Sequence, residues 1–384
     1  MANPGFYEFF CGGGMARAGL GAGWNCLFAN DFDAKKGRAY AANWGAETLN
    51  IGDVAALATN DLPGEPDLVW ASFPCQDLSL AGSGAGLAGA RSGAFWPFWR
   101  LMRQLGEERR GPRVIVLENV CGALTSHGGK DFAAIAQAIA AAGYRLGAVV
   151  IDAAHFVPQS RPRLFIVAVA ADVAIPPACL TQRPDDLWRP PALRGAQARL
   201  AGKASAAWVW WRLRAPPMRN SRLVDILEDQ PASAAWHTPA QTARLVSIMS
   251  PMHQAKLAAA KNSGAVQVGA LFRRTRIGDN GARRQRAEVR FDDLAGCLRT
   301  PTGGSSRQIL VFVRGGEMRS RLLSGREAAR LMGLPDDYQL PDRANDALHL
   351  IGDGVAVPVV RHLAGHLLAR LVRAYRRGEL QAAE

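Results

Sequence analysis

Six residue groups in this chain have types and spacings that could do chemistry. The first is "FPCQ", in which Cys75 lies between Pro74 and Gln76 at the end of the apolar run "DLVWASF". A lone cysteine at a strand end is usually a small buried hydrophobe. Pro74 stiffens the backbone before it, however, and the glycine-rich stretch "LAGSGAGLAGARSG" after it reads as a loop, so a thiolate nucleophile is the competing reading. The second group, "VIVLENVCG", ends another apolar run on Glu118 and Asn119. A carboxyl there is either an ordinary surface acid or, if partly buried, one that holds a proton at neutral pH and donates it to a ring nitrogen. The third, "FVPQSRPRLFIVAV", sets Gln159, Arg161 and Arg163 just before a strand, where guanidinium groups suit an anion or a carbonyl better than a core.

The remaining groups read as a nucleotide-type cofactor site and two ambiguous clusters. In "FYEFFCGGGMARAGLGAG" a strand runs into Gly12, Gly13 and Gly14 and then into a helix, which is either a tight turn or a place where a cofactor approaches the backbone. Asp31 ends the next apolar run, where an acid could accept both ribose hydroxyls, and Asp53 falls where a third strand would end and could receive an adenine amino group. "WVWWR" at 208–212 could stack on bases but better suits the hydrophobic centre of a small domain. His362 and His366 are one helical turn apart, yet no Glu lies between them and no third ligand is evident, so they read as packing or surface residues and no metal site is expected.

The elements that must position these residues follow from periodicity. Residues 6–175 alternate short apolar runs ("FYEFF", "NCLFAN", "DLVWASF", "VIVLENV", "AVVIDA", "LFIVAVA") with helix-like stretches, the pattern of a parallel sheet covered by helices on both faces. From 176 to about 320 the pattern dissolves into Pro, Arg, Gly and Trp, and helical periodicity returns in "SGREAARLMGL" and "VVRHLAGHLLARLVRAYRRG". The chain has 384 residues and 48% hydrophobic content, enough for two globular units.

Its net charge of +13 is unevenly placed. Residues 176–320 hold 23 Lys and Arg against 10 Asp and Glu, while the rest is balanced. Such a segment is either a well-solvated surface or a surface for a polyanion, above all nucleic acid. The six cysteines are scattered without a CxxC pair, which excludes a zinc ribbon or a disulfide framework and fits a reducing cytoplasm. The most apolar run, "LFIVAVAADVAIPPACL", is broken by Asp172 and two prolines, so no membrane span is expected.

Taken in order, these motifs resemble those of the C5-cytosine DNA methyltransferases of bacterial type. The glycine loop matches that family's cofactor loop, "PCQ" its nucleophile loop, "ENV" its acid and "QSRPR" its paired arginines; "RLLSGREAARLMGLPDDY" matches its recognition-organising segment and "GDGVAVPVV" its closing cofactor motif. Two positions depart from the family pattern: Met15 stands where a further Gly is usual, and Asp353 where Asn is common.

The resemblance implies a Rossmann-like α/β sheet that binds S-adenosyl-L-methionine, with helices on both faces, plus a smaller, irregular target-recognition domain. It implies a catalytic domain at 1–175, target recognition at 176–320 with "RRTRIGDNGARRQRAEVR" as phosphate and base readers, a hinge at 321–350, and a C-terminal segment at 351–384 that packs back on the catalytic domain. Cys75, Glu118, Asn119, Arg161 and Arg163 are the implied catalytic group. Phe10, Gly12, Gly14, Asp31 and Phe32 are implied to bind the cofactor, together with Asp53, Val54, Pro74, Asp353 and Val355. The implied reaction is methylation of a flipped-out cytosine in double-stranded DNA by a bacterial or phage cytoplasmic monomer, with or without a cognate restriction endonuclease acting on the same site. A transfer RNA methyltransferase and a non-catalytic DNA-binding relative are the alternatives. The long basic segment argues against the first, and intact Cys75, Glu118 and Arg163 argue against the second.

Overall fold

The computed structural model describes residues 2–74, 92–182, 185, 187–231, 234–277, 281–301 and 307–383. Cys75 and the glycine-rich stretch after it lie outside the described residues. The chain divides into two compact units: 1–152 with 162–216 and 359–384, and 153–161 with 217–358.

The first unit is built on a seven-stranded sheet. Its strands are β1 (Gly5–Phe9), β2 (Asn25–Asp31), β3 (Leu49–Ile51), β4 (Leu68–Ala71), β5 (Val114–Val120), β6 (Tyr144–Asp152) and β7 (Pro162–Ala170), in the order β3-β2-β1-β4-β5-β7-β6. All six expected apolar runs form strands. β5 is buried from Val114 to Asn119, as required of a strand covered on both faces. The expectation of a parallel sheet needs one correction, because β7 pairs antiparallel with both β5 and β6. The physical reason is chain length: residues 153–161 are too few for the crossover of about a dozen residues that a parallel neighbour requires.

Four helices follow the strands: α1 (Met15–Leu20), α2 (Ala34–Trp44), α3 (Phe95–Glu107) and α4 (Lys130–Ala141). α3 buries Phe95, Phe98, Trp99, Leu101, Met102 and Leu105, and α4 buries Phe132, Ile135, Ala136 and Ile139, spacings that keep one face of each helix in the core. Each large side chain so buried contributes about 1.5–3 kcal/mol.

Residues 176–216, expected with the recognition segment, belong to the first unit. The reason is visible at the sheet edge: Leu146 of β6 donates its backbone N–H to the Ala207 carbonyl and accepts that of Val209, so this stretch caps an otherwise open edge. Trp211 is fully buried, its Nε1 donating to the Val167 carbonyl, and Trp208 packs edge-on against Phe132. Trp211 is therefore core of the larger unit, with Trp208 half-buried against it, and not the centre of a small domain. His362 is also buried, 3.0 Å from the Arg214 carbonyl and against Trp188, a packing position.

The second unit is more regular than its composition suggests. It carries β8 (Gln267–Ile277), β9 (Arg283–Arg290), β10 (Ile309–Arg314) and β11 (Glu317–Leu322) as an antiparallel sheet in the order β11-β10-β8-β9. One face buries Leu271, Ala287, Val289, Ile309, Val311 and Val313 against Leu245, Met249, Leu257 and Ala260. The stretch Ala344–Arg376 is long and apolar enough to cross a membrane by composition, but 67% of its most apolar window is buried within the protein.

Candidate active site

The strand order reverses between β1 and β4, and the loops leaving the carboxyl ends of these strands carry the chemistry, as expected of an open α/β sheet. After β1 the chain turns sharply. Phe10 takes φ 56°, a left-handed conformation uncommon for a side-chain-bearing residue, and Gly12 and Gly14 take φ 54° and 76°. A Cβ on Gly12 would meet no atom within 4 Å, so that side of the loop is open. A Cβ on Gly14 would lie 2.3 Å from Trp44 Nε1, so Gly14 closes the loop onto Trp44, whose Nε1 donates to the Gly13 carbonyl at 3.0 Å. Met15, where the family pattern has Gly, is buried as the first residue of α1.

Asp31 is buried at the end of β2. Its two oxygens accept the backbone N–H groups of Gly12 and Asp33, both at 2.8 Å, which locks β2 to the glycine loop and leaves the remaining lone pairs for a ligand hydroxyl. Burial raises its pKa against the pull of Lys36 and these two donors. The next residue, Phe32, is 77% exposed, an unusual position for an aromatic ring unless something covers it. Asp53 is exposed beyond β3; one oxygen accepts the Ala55 N–H, and Val54 beside it is buried.

The second cluster lies where β4 and β5 end and β7 begins. Phe73 is buried and Pro74 half-buried. Asn119 is buried, and its Nδ2 donates to the Phe73 carbonyl at 3.1 Å while its Oδ1 accepts the Val120 N–H. Asn119 thus holds the backbone two residues before Cys75 in the chain. Glu118 is buried beside Asn119, and Arg163 Nε lies 3.3 Å from Glu118 Oε1. The register explains this proximity: β7 pairs Arg163 with Val120 and Phe165 with Glu118. Cys121, just beyond, has its thiol pushed up to about 11 by burial, and burial likewise raises Cys11, Cys26 and Cys179. These four are poor nucleophiles.

Arg161, the other arginine of "QSRPR", donates to backbone carbonyls. It belongs to the second unit and is buried, with Nη1 donating to the Leu298 carbonyl at 2.9 Å and Nη2 to the carbonyls of Gly352 and Gly354 at 2.8 and 2.6 Å. Its guanidinium clamps the backbone around Asp353, which is exposed, and Val355, which is buried. Gln159, fully buried, ties Leu298 and Leu331 in the same way.

Two residues near the glycine loop escaped sequence reasoning. Glu8, on β1, is buried, and burial pushes its carboxyl up to about 8 despite the nearby Arg17 and Ala16 N–H groups. Trp44 ends α2 and supports Gly13, with Arg17 stacked 5.1 Å from its ring. The only signal for Glu8 was a lone acid inside the apolar run "FYEFF"; Trp44 gave none.

The fold is that of solved methyltransferases. The S. pombe Dnmt2 methyltransferase aligns with a TM-score of 0.58 at 17% identity, covering 96% of this chain and 98% of that one. A putative DNA modification methyltransferase encoded within an E. coli prophage aligns at 0.55 and 16%, covering 97% and 99%. The family model for C-5 cytosine-specific DNA methylase matches residues 5–369, and the chain belongs to that family. It is a DNA cytosine-5 methyltransferase. It is similar to the type II methyltransferase M.BsuFI of Bacillus subtilis, 27% identical over 371 residues that cover 96% of this chain and 73% of that protein. It is also similar to M.HaeII of Haemophilus aegyptius, 24% identical with 96% and 94% covered. The orphan methyltransferase M.SPRI of Bacillus phage SPR is 30% identical over 171 residues, covering 43% of this chain and 38% of that one.

Proposed function

We propose that this enzyme methylates a cytosine rotated out of a specific duplex sequence, through a covalent adduct on Cys75. The observation that carries the reading is the convergence of Glu118, Asn119 and Arg163 at the carboxyl edge of β4 and β5, with Asn119 bonded to the backbone just before Cys75. Carbon 5 of cytosine is a weak nucleophile, so the ring must first gain electron density. The Cys75 thiolate adds to carbon 6, forming the S–C bond, while Glu118 donates a proton at ring nitrogen 3 and Arg163 donates to the 2-carbonyl. Carbon 5 then takes the methyl group, a water removes the carbon 5 proton, the returning electron pair expels the Cys75 thiolate, and ring nitrogen 3 gives its proton back to the Glu118 carboxylate. An in-helix base is out of reach of such a group, so the target is flipped at a cost of a few kcal/mol.

The residues after β1 and β2 fit an adenosine-containing cofactor. The open side of Gly12, the exposed Phe32 ring and the remaining lone pairs of Asp31 are the features a backbone-approaching nucleoside needs. S-adenosyl-L-methionine would supply the electrophilic methyl group there. Phe10, Gly12 and Gly14 would shape its cradle, with Asp31 on the ribose and Phe32 and Val54 against the adenine. Asp53 would take the adenine amino group, and Pro74 would complete the contacts from the first unit. Residues within 217–358 would read the duplex. The enzyme would act as a monomer, and its type II relatives favour a cognate endonuclease sharing its site.

Bisulfite sequencing of DNA from a methylation-free bacterial host tests this. Protected cytosines in one short sequence, absent with Cys75→Ser, are expected. Protection that persists with Cys75→Ser refutes the adduct; methylated transfer RNA beside unmodified DNA refutes the duplex substrate.

A further inference from the structure

The outer end of the β8–β9 hairpin is an arginine-bearing ribbon that the sheet does not support. β8 pairs with β10 only from Gln267 to Leu271, and the outer edge of β9 is met at Ala287 by Met249. Beyond those points, among the described residues, Arg274–Ile277 and Arg283–Arg286 pair only with each other. Four residue pairs make a two-stranded ribbon about 14 Å long. Five of its eight residues are arginine, the others are Thr275, Ile277 and Gln285, and none is acidic.

Strand alternation sorts these side chains. Arg274 and Arg276 share one face with Arg284 and Arg286, because Arg274 pairs with Arg286 and Arg276 with Arg284. Like charges directly opposite each other destabilise a hairpin, so this face stands ready for a ligand rich in acceptors. Its single acid is Glu288, whose carboxylate lies 3.3 Å from Arg274 and 2.5 Å from Arg276. Arg284 and Arg286 are left without a protein acceptor among the described residues.

That carboxylate decides between two kinds of nucleic-acid contact. A face made for phosphate would gain nothing from an acid at its inner end, which repels the backbone. The major-groove edge of a G·C pair presents two acceptors on guanine and an amino donor on cytosine, and so suits arginine and glutamate side by side. The groove also admits a two-stranded ribbon.

We propose that this ribbon enters the major groove of the methylated duplex with its arginine face toward the base edges. Arg284 and Arg286 donate to guanine, and Glu288 holds Arg274 and Arg276 in place beside a cytosine amino group. The inference rests on the duplex-DNA substrate proposed above and adds the residues that set its sequence.

The test uses the full chain, methyl transfer to the mapped duplex, and duplexes with single base pairs replaced. Arg284→Gln and Arg286→Gln are each expected to lower kcat/KM on the mapped duplex about 5- to 150-fold. Each should also abolish discrimination at one G·C pair. Glu288→Gln should relax discrimination at a neighbouring pair. Arg284 and Arg286 lie on the ribbon and Glu288 on the same face just inside it, and unchanged thermal melting with S-adenosylmethionine shows that each variant is folded; should one arginine variant fail to fold, the other decides. A loss that is uniform across all duplexes, with a shallower salt dependence, marks a phosphate contact and overturns the proposal. So does unchanged selectivity. A wild-type enzyme that leaves all duplex DNA unmethylated removes the substrate reading itself, whereas a wild-type enzyme with a short motif and indifferent variants removes only the ribbon.

Discussion

Gly12 and Gly14 should fail in different ways when replaced by alanine, although they lie two residues apart in the same turn. Both have left-handed φ, which costs an alanine about 1–2 kcal/mol. For Gly14 the added methyl also lands 2.3 Å from Trp44 Nε1 and 3.0 Å from Tyr40 Cε2. Moving Trp44 breaks its bond to the Gly13 carbonyl, worth about 1 kcal/mol, and overpacks a buried site at about 1–3 kcal/mol. The total of about 3–6 kcal/mol corresponds to a fall in Tm of about 6–12 °C for a unit of roughly 230 residues. For Gly12 the methyl meets nothing, so only the backbone cost applies and Tm falls by a few degrees. That methyl instead occupies the open side of the loop, where the cofactor would lie against the backbone, and affinity for S-adenosylmethionine should drop about tenfold or more. Differential scanning fluorimetry with and without S-adenosylmethionine, alongside calorimetric titration, separates the two effects. Wild-type affinity in Gly12→Ala would refute the open side as the cofactor approach, and wild-type melting in Gly14→Ala would refute the Trp44 contact.

Arg161→Met strips donors from the buried carbonyls of Leu298, Gly352 and Gly354; denaturant unfolding should show a loss of about 3 kcal/mol or more, with Arg161→Lys recovering only part of it because an ammonium cannot span the three acceptors. Asn119→Ala releases the Phe73 carbonyl, and methyl-transfer kinetics should show kcat reduced about tenfold or more while KM for S-adenosylmethionine stays near the wild-type value. Glu8 provides a pH test. Its carboxyl rises from an ordinary 4.5 to about 8 on folding, so the native state binds a proton that the unfolded chain has lost; the associated stability is fully present below about pH 4.5 and declines as pH rises through about 8. Unfolding curves for Glu8→Gln should lack that decline, and identical pH profiles for variant and wild type would show that Glu8 does not carry it.

The local half of the site was legible because short-range patterns encode it. Apolar runs that end at Asp31 and Glu118, and one that starts just after Arg163, place those residues at strand ends, and strand ends are where an open α/β sheet works. What sequence could not show depends on contacts between distant residues. Arg161 and Arg163 are two residues apart and chemically alike, yet one is a buried clamp in the second unit and the other faces Glu118 in the first. The glycine loop shows the same limit: Gly12 and Gly14 look interchangeable until Trp44, thirty residues away in the chain, makes one a packing site and leaves the other open. The strands of the second unit were hidden for a different reason. In "RRQRAEVR" only Ala287 and Val289 are buried, so six polar residues mask a period of two, and a segment that reads as irregular is a strand whose regularity lies in where its arginines point. The same alternation that concealed the strand is what gathers Arg274, Arg276, Arg284 and Arg286 on one face, so in this part of the chain the residues least informative about fold are those that bear on function.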